Sequence, residues 1–449
     1  MKDPVAIAID LGTTSIKISS INHNGTFTIL DQINSPSLTY DDFKVTGDGK
    51  AYISVALNLL NKVSHSIEQP CKLAITSQRS SFLLWSKETG EIISPLISWQ
   101  DRSATTFYHS YQNHNKRINK ITGLIPSPYY LAYKLSQLIT EEPYTDLSNV
   151  LVGTLDSYLV WILSKGECHI TDKSMAARTC LYDIHQSIWS SELLECFNIP
   201  ENILPKVVPS KLNLSLGNGK WELNALIADQ PASFLGVCQD ENHININVGT
   251  GAFVLKETQE KQRIPKGYQK AIFYDDGLIH LGVEGTLNGI PRTLEQANIS
   301  FDNSELCITD GLCCPDASGI GSPYWNPEVN FMTNIKDFER LPPIEKRSII
   351  IEGIVFRITE IVEQIGSNGN TVVVSGGASN DQVLVKTLAS CSPYPLKVTS
   401  IQETTLRGAL RLATGLKEKS HLISIDQKEN PYLLKKFKEW KKWMKESLN

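Results

Sequence analysis

The sequence VAIAIDLGTTSIKISS, residues 5–20, alternates branched with small residues on both sides of a Gly-Thr-Thr turn. Such alternation is typical of half-buried strands, and the turn residues interrupt it where a hairpin would reverse direction. The stretch ININVGTGAFVLKE, residues 244–257, repeats the same plan. Each stretch is therefore predicted to form a strand, a tight turn and a second strand.

The two predicted hairpins also indicate how the chain is divided. Gly12 and Gly249 are separated by a little over half of the 449 residues, which is the spacing that two similar domains in tandem would produce. We place the domain boundary near Ala225. The expected domains are residues 1–225 and residues 226–449.

Further strands and helices are predicted between and after the hairpins. Apolar or β-branched runs predict strands at 73–76, 82–85 and 371–375, and apolar residues at helical spacing predict helices near 131–139, 155–162 and 349–365. Gly366 is a suitable residue to end the last of these helices. Strands that alternate with helices predict the α/β class.

Composition excludes several classes of function. The net charge is −5, with 41% hydrophobic and 20% charged residues, and no apolar run approaches the roughly 18 residues of a membrane-spanning helix. We therefore expect a soluble protein that binds neither nucleic acid nor membrane. The first residues lack the basic and then apolar segment of a secretory signal, so the expected location is the cytoplasm.

Two local features have competing interpretations. The nine cysteines lack paired spacing, and the cluster Cys307, Cys313 and Cys314 has no nearby histidine at metal spacing, so we expect no metal ligands there. The segment 433–444 combines lysines with Phe437 and Trp440 on one predicted helix face. A terminal helix that packs its aromatic face on the second domain is favoured over a membrane-binding or calmodulin-type helix.

Gly12, Thr13, Thr14 and Ser15 are candidates for binding phosphate. Backbone amides of a tight Gly-Thr turn can converge on phosphate oxygens, although an ordinary hairpin would use the same residues. The second turn strengthens the phosphate interpretation, because a nucleotide in a cleft between two domains would be held from both sides. Asp10, just before the first turn, could hold Mg²⁺ directly or through water.

Two further segments can bind or react. VVVSGGASND, from Val372, is a buried strand followed by Gly376 and Gly377, on which a flat nucleoside could lie, while Asn380 caps the next helix or contacts the nucleotide. Asp229 follows an apolar run and precedes the second hairpin. Its carboxylate could accept a proton from a substrate hydroxyl that attacks phosphorus, or it could simply cap a helix.

Six motifs occur together in family order: DLGTTS from Asp10, TSQRSS from Thr76, SWQDR from Ser98, ADQPA from Ala228, NVGTGAF from Asn247 and SGGASN from Ser375. In this combination the chain resembles the FGGY carbohydrate kinases over nearly its whole length. TGLIPSPYY, GTLDSYLVW and SPYWNPE are most similar to the glycerol kinases of that family, whereas LGVEGTLNG, residues 281–289, is more similar to its sedoheptulose kinases.

The resemblance implies a fold, a reaction and a set of site residues. It implies two ribonuclease H-like domains of the actin-like ATPase type with an interdomain cleft, and transfer of the γ-phosphoryl group of ATP to a sugar or polyol hydroxyl with Mg²⁺. Asp229 would be the base and Asp10 the magnesium-associated acid. The remaining implied contacts are, for the nucleotide, Gly12, Thr13, Thr14, Lys17, Gly249, Thr250, Gly289, Gly376, Gly377 and Asn380, and, for the substrate, Arg79, Ser80, Trp99, Asp101, Tyr129 and Gln230.

One departure from the glycerol kinases bears on the substrate. Those enzymes have a glutamate after the arginine that matches Arg79, and this chain has Ser80. A ketose such as ribulose, xylulose or sedoheptulose is therefore an alternative acceptor. Alternatives of another class are an actin-like or chaperone-like nucleotide switch and a degenerate kinase that only binds. We also expect that the kinase could form a homodimer.

Overall fold

The computed structural model describes residues 4–67, 70–141, 147–237, 242–249, 251–416 and 422–448. Strands and helices alternate along this chain, which confirms the predicted α/β class. The strands are β1 (Pro4–Leu11), β2 (Ser15–Asn22), β3 (Phe27–Asn34), β4 (Thr39–Asp41), β5 (Lys44–Gly47), β6 (Cys71–Ser77), β7 (Phe82–Ser86), β8 (Leu96–Ile97), β9 (Val150–Thr154), β10 (Ile170–Asp172), β11 (Tyr182–Asp183), β12 (Ile188–Trp189), β13 (Lys206–Val208), β14 (Lys211–Leu216), β15 (Trp221–Ala228), β16 (His243–Val248), β17 (Ala252–Thr258), β18 (Gln269–Asp275), β19 (Ile279–Leu287), β20 (Cys313–Cys314), β21 (Met332–Thr333), β22 (Thr371–Ser375), β23 (Leu396–Thr399) and β24 (Leu422–Ser424).

The predicted helices near 131–139, 155–162 and 349–365 are confirmed as α4, α5 and α10, and Gly366 directly follows α10. The helices are α1 (Gly49–Ser64), α2 (Thr105–Ser110), α3 (Asn115–Thr122), α4 (Leu131–Glu141), α5 (Leu155–Leu163), α6 (Lys173–Ala176), α7 (Ser191–Cys196), α8 (Asp229–Val237), α9 (Ile290–Gln296), α10 (Pro343–Ile365), α11 (Gln382–Cys391), α12 (Thr404–Thr414) and α13 (Pro431–Leu448). Among the described residues, no helix is both long and apolar enough to cross a membrane.

The chain folds into two compact units that are not consecutive in sequence. Unit 1 contains residues 1–236, 270–281 and 403–419, and unit 2 contains residues 237–269, 282–402 and 420–449. Ala225 lies inside β15. The division into domains 1–225 and 226–449 stays a prediction. The two compact units do not follow these bounds, because their segments alternate along the sequence.

Unit 1 is built on a six-stranded sheet with the order β14-β15-β6-β1-β2-β3. The predicted first hairpin is confirmed, because β1 and β2 pair in antiparallel fashion with Asp10 opposite Lys17. Strand β6 pairs in parallel with β1 on one side and with β15 on the other. Leu11, Ser77 and Ala228 are therefore neighbours at the ends of three parallel strands, and the residues that follow them lie at one edge of the sheet.

The alternation in β1 places different side chains on the two faces of this sheet. Ile7 and Ile9 belong to a core that includes α1 and α5, whereas Ala6 and Ala8 belong to a second core that includes α12. Alanine leaves room for α12 to approach the strands closely. One alternating sequence thus determines which helices pack on each side.

Helices α8 and α12 approach each other closely at two glycines. A Cβ atom on Gly408 would lie 1.7 Å from the carbonyl oxygen of Ala232, and one on Gly236 would lie 2.0 Å from that of Thr404. The Oγ atom of Ser233 lies 2.8 Å from Oγ1 of Thr404. The backbones are therefore in direct contact, and the positions of the two helices depend on each other.

Unit 2 contains the second predicted hairpin, which is confirmed by antiparallel pairing of β16 with β17. Strand β16 also pairs in parallel with β22, so that Asn247 lies opposite Ser375. The turn after β16 and the glycines after β22 are consequently close together at one edge of this sheet.

The predicted C-terminal helix is confirmed as α13. Phe437, Trp440 and Met444 are buried in the core of unit 2, and the indole Nε1 of Trp440 donates to the carbonyl oxygen of Cys313 at 2.7 Å. The ammonium of Lys436 lies 2.6 Å from the carboxylate of Glu352, and both side chains are buried. The aromatic face of α13 thus packs in the core of unit 2, as the favoured interpretation predicts.

We expect Gly408→Ala to destabilise unit 1, because the added methyl group would overlap the backbone of α8. Overpacking of this kind costs roughly 1–3 kcal/mol. Thermal unfolding without ligands should show a lower Tm than the wild type. Gly377→Ala is the control, since no described atom lies within 4 Å of its added Cβ; equal Tm values for the two variants would contradict the close helix crossing.

Candidate active site

The ends of β1, β6 and β15 bring together residues that are far apart in sequence. Gly12 follows β1, Gln78 and Arg79 follow β6, and Asp229 follows β15 as the first residue of α8. Because the three strands are parallel neighbours, these residues share one edge of the sheet. This edge, which we call the strand-end site, contains most of the candidates that the sequence identifies in unit 1.

The turn between β1 and β2 is held by side chains from several segments. Ser35 Oγ donates to the carbonyl oxygen of Gly12 at 2.7 Å, and the hydroxyl of Tyr52 donates to the same oxygen. Thr13 Oγ1 donates to Gln78 Oε1 at 2.9 Å and accepts from Trp99 Nε1 at 3.0 Å. These hydrogen bonds hold the turn in one conformation without any ligand. The side chain of Thr14 is exposed.

Asp229 and Arg79 form the charged pair of the strand-end site. Nε of Arg79 lies 3.6 Å from Oδ1 of Asp229; the arginine side chain is 7% exposed and the aspartate side chain 25% exposed. Oδ1 of Asp229 also accepts from the backbone N–H of Gln230 at 2.8 Å. The carboxylate is thus held in place and still accessible to a small molecule.

Asp10 is the second carboxylate of the site. Its Oδ1 atom is buried and has no hydrogen-bond partner within the described parts of the chain. Burial, and next the nearby charge of Asp229, raise the pKa of Asp10 to about 8, while Lys17 opposes this shift. Because this environment disfavours the ionised form of Asp10, a cation bound nearby would stabilise its carboxylate.

Lys17 is paired with a residue that the sequence did not identify. Its Nζ lies 2.6 Å from Oε1 of Glu403, with side chains 19% and 24% exposed respectively. Tyr52, Ser35 and Gln78 were also missed. Tyr52 and Ser35 belong to no motif, and Gln78 lies in the TSQRSS motif without an assigned contact. Only the fold brings these three side chains to the turn.

The candidates for binding the acceptor occupy different environments. Ser80, Trp99, Tyr129 and Gln230 are half-buried. Asp101 is completely buried, and its carboxylate accepts from the N–H of Val45 at 2.6 Å and from Ser103. Asp101 can therefore influence a ligand only through the loop that it holds.

Ser80 has an unusual backbone and a cationic neighbour. Its φ angle is +62°, in the left-handed region, and its Oγ lies 3.5 Å from the carbonyl oxygen of Arg178. The buried ammonium of Lys134 donates to the carbonyl oxygens of Ser98 at 2.8 Å and Ser80 at 3.4 Å. Burial lowers the pKa of Lys134 to about 8. Lys134 thus links the segments that carry Ser80 and Trp99.

In unit 2, the candidate Gly249 follows β16, and the candidates Gly376 and Gly377 follow β22. An added Cβ on Gly249 or Gly377 would have no described atom within 4 Å, so a ligand can approach the backbone closely there. Gly376 has φ +86°, and a Cβ there would lie 2.4 Å from Oδ1 of Asn247. Gly289 directly precedes α9, also with positive φ. Thr250 lies outside the described residues.

Asn380 is the last residue of a short 3₁₀ helix, Gly377–Asn380. The alternative that it caps the next helix is wrong, because Asp381 caps α11 by accepting from the N–H groups of Val383 and Leu384. Nucleotide contact stays a prediction for Asn380.

Comparison with known proteins places the chain in a family. Residues 5–228 match the N-terminal domain of the FGGY family of carbohydrate kinases, and residues 244–415 match its C-terminal domain. The chain belongs to the FGGY family. This kinase is therefore a phosphotransferase that acts on an alcohol group of a sugar or polyol.

Similar proteins cover nearly all of the kinase. A glycerol kinase of Mycoplasmoides gallisepticum is 27% identical, with 96% of this chain and 94% of that protein covered. The structure of Plasmodium falciparum glycerol kinase with ADP has a TM-score of 0.83 at 21% identity, covering 100% of this chain and 99% of that one. A ligand-bound xylulose kinase of Lactobacillus acidophilus has a TM-score of 0.82 at 18% identity, with 98% of each chain covered. The predicted fold, that of the actin-like ATPases, is confirmed.

The raised pKa of Asp10 predicts how the stability of the kinase changes with pH. Between about pH 4 and pH 8 the folded protein retains a proton that the unfolded chain releases, so this residue makes folding less favourable as pH rises. We expect Asp10→Asn to raise Tm relative to the wild type by roughly 2 °C or more at pH 8, and less at pH 5, in EDTA without nucleotide.

The matched control for this experiment is Asp42→Asn, which removes a charge from the exposed turn between β4 and β5. It should shift Tm by similar small amounts at both pH values. The interpretation of Asp10 would be contradicted if Asp10→Asn changed Tm equally at pH 5 and pH 8.

Proposed function

We propose that this kinase transfers the γ-phosphoryl group of ATP, with Mg²⁺, to a hydroxyl of a small sugar or polyol at the strand-end site. The observation that carries the proposal is the arrangement of Asp10 and the Arg79–Asp229 pair beside a braced Gly-Thr turn. Phosphoryl transfer depends mainly on alignment and charge neutralisation, which these groups can supply.

Asp229 is the proposed general base. Its accessible carboxylate accepts the proton of the substrate hydroxyl as that oxygen attacks phosphorus. The charge of Arg79 orients the carboxylate, and the backbone N–H of Gln230 donates to the same oxygen. Arg79, Ser80, Tyr129 and Gln230 are proposed to bind the acceptor, with Trp99 packing beside it.

Asp10 fits the role of a magnesium-associated acid. Mg²⁺ is usually held by one or two carboxylates together with substrate phosphates and water, so a protein cage is not required. In the described segments, no group of three His, Cys, Asp or Glu side chains is arranged to hold a metal. When bound, Mg²⁺ would neutralise charge on the phosphates, and Asp10, whose buried Oδ1 has no hydrogen-bond partner among the described residues, would hold it directly or through water.

The phosphate contacts proposed in unit 1 are Gly12, Thr13, Thr14 and Lys17. Those proposed for the nucleotide in unit 2 are Gly249, Thr250, Gly289, Gly376, Gly377 and Asn380. For Gly249 and Gly377, support comes from the lack of any described atom within 4 Å of an added Cβ. A cytoplasmic location and a homodimer stay predictions.

The acceptor is proposed to be larger than glycerol or differently hydroxylated. Ser80 is short and neutral, and its left-handed backbone directs it towards the carbonyl of Arg178. A site without a carboxylate at this position lacks a charged hydrogen-bond partner for the hydroxyl groups of glycerol, and it therefore binds glycerol less strongly. A ketose is therefore the second candidate beside a polyol.

We expect Asp229→Asn to lower turnover by about 10² to 10⁴-fold, because Asn keeps the shape and loses the base. Release of ADP with the best acceptor measures turnover, and calorimetry with ATP should show nearly unchanged affinity. Asp48→Asn is the matched control, since Asp48 caps the start of α1. If Asp229→Asn retained most of its turnover, Asp229 would be only a helix-start residue.

For the acceptor, kcat/KM should be measured across glycerol, pentitols and ketoses. We expect glycerol not to be the best substrate, and we expect Ser80→Glu to raise kcat/KM for glycerol relative to the best substrate by roughly tenfold or more. Ser80→Ala serves as the control and should leave the order of substrates unchanged. Glycerol as the best substrate of the wild type would contradict this assignment.

A further inference from the structure

The ion pair between Lys17 and Glu403 lies next to the carboxylates of the strand-end site. Lys17 is the direct cross-strand partner of Asp10 in the β1–β2 hairpin. Nζ of Lys17 is 2.6 Å from Oε1 of Glu403, and the charge of Glu403 also acts on Asp10. One lysine therefore lies among acidic groups that come from β1 and from the start of α12.

Glu403 has a strained backbone at this position. Its φ and ψ angles are 58° and 45°, the left-handed region that non-glycine residues seldom adopt. Such outliers persist where the surrounding structure imposes them, and they concentrate at functional sites. The strained conformation places Glu403 immediately before α12 and directs its carboxylate to Lys17.

A purely structural role does not explain the pair well. Helix α12 is already fixed by its alanine-lined contact with the sheet and by the backbone contact of Gly408 with α8. Partly exposed ion pairs generally add little to stability. A lysine has a long flexible side chain, however, and holding it in one conformation before a phosphate arrives removes an ordering cost from binding.

We propose that Glu403 is a positioning residue that holds the ammonium of Lys17 ready for the phosphates of the nucleotide. This inference rests on the proposed function and adds a residue to it. Glu403 does not touch the substrate; it acts through Lys17. The close backbone contact between α8 and α12 also links the position of Glu403, which precedes α12, to that of Asp229, which begins α8.

A double-mutant cycle tests the proposal. The variants are Lys17→Met, Glu403→Gln and the double variant, each measured for kcat, for KM of ATP and by calorimetry for MgATP affinity. We expect Glu403→Gln to weaken nucleotide affinity and kcat/KM for ATP by roughly tenfold while KM for the acceptor changes little. In the Lys17→Met background the same substitution should change these values less than about twofold.

The control cycle uses Lys62→Met and Asp31→Asn, which remove another 2.6 Å ion pair of unit 1 whose lysine is 72% exposed. It should leave all these quantities near the wild-type values. The role of Glu403 would be overturned if Glu403→Gln left the affinity for MgATP unchanged. It would also be overturned if the fold-changes in affinity caused by Lys17→Met and Glu403→Gln simply multiplied in the double variant. A wild type that neither binds ATP nor releases ADP would instead overturn the proposed function, and the role of Glu403 with it.

Discussion

Parallel pairing of β6 with both β1 and β15 is the constraint on which the rest of unit 1 depends. It brings the residues after Leu11, Ser77 and Ala228 to one edge, although they come from widely separated parts of the chain. The Gly-Thr turn, Arg79 and Asp229 meet only because these strands end together. A shift of one residue in this register would turn side chains to opposite faces and separate the charged groups.

The helices on the sheet extend the same constraint. Alanines on one face of β1 admit α12 at close range, and the glycine contact between α12 and α8 sets the positions of both helices. Asp229 begins α8 and Glu403 precedes α12. The packing between α8 and α12 therefore helps to determine where these two acidic residues lie.

The fold class and both hairpins could be predicted, because strand alternation and turn residues are local signals. Asp10, Arg79 and Asp229 could be found because they belong to motifs, and the structure brings them together. Glu403 could not be found, since its proposed role depends on a contact with Lys17, 386 positions away in the sequence. Likewise, nothing in the sequence around Asp101 indicates that its carboxylate is completely buried.

The most direct measurement of the central claim is ³¹P NMR of the protein with ATP, Mg²⁺ and a mixture of polyols and ketoses. We expect a new phosphomonoester signal that grows at the rate at which ADP forms, with little inorganic phosphate. That result would show that an acceptor hydroxyl receives the phosphoryl group of ATP. Formation of ADP and inorganic phosphate alone, at a rate that does not depend on the mixture, would contradict kinase activity and favour a nucleotide-hydrolysing switch.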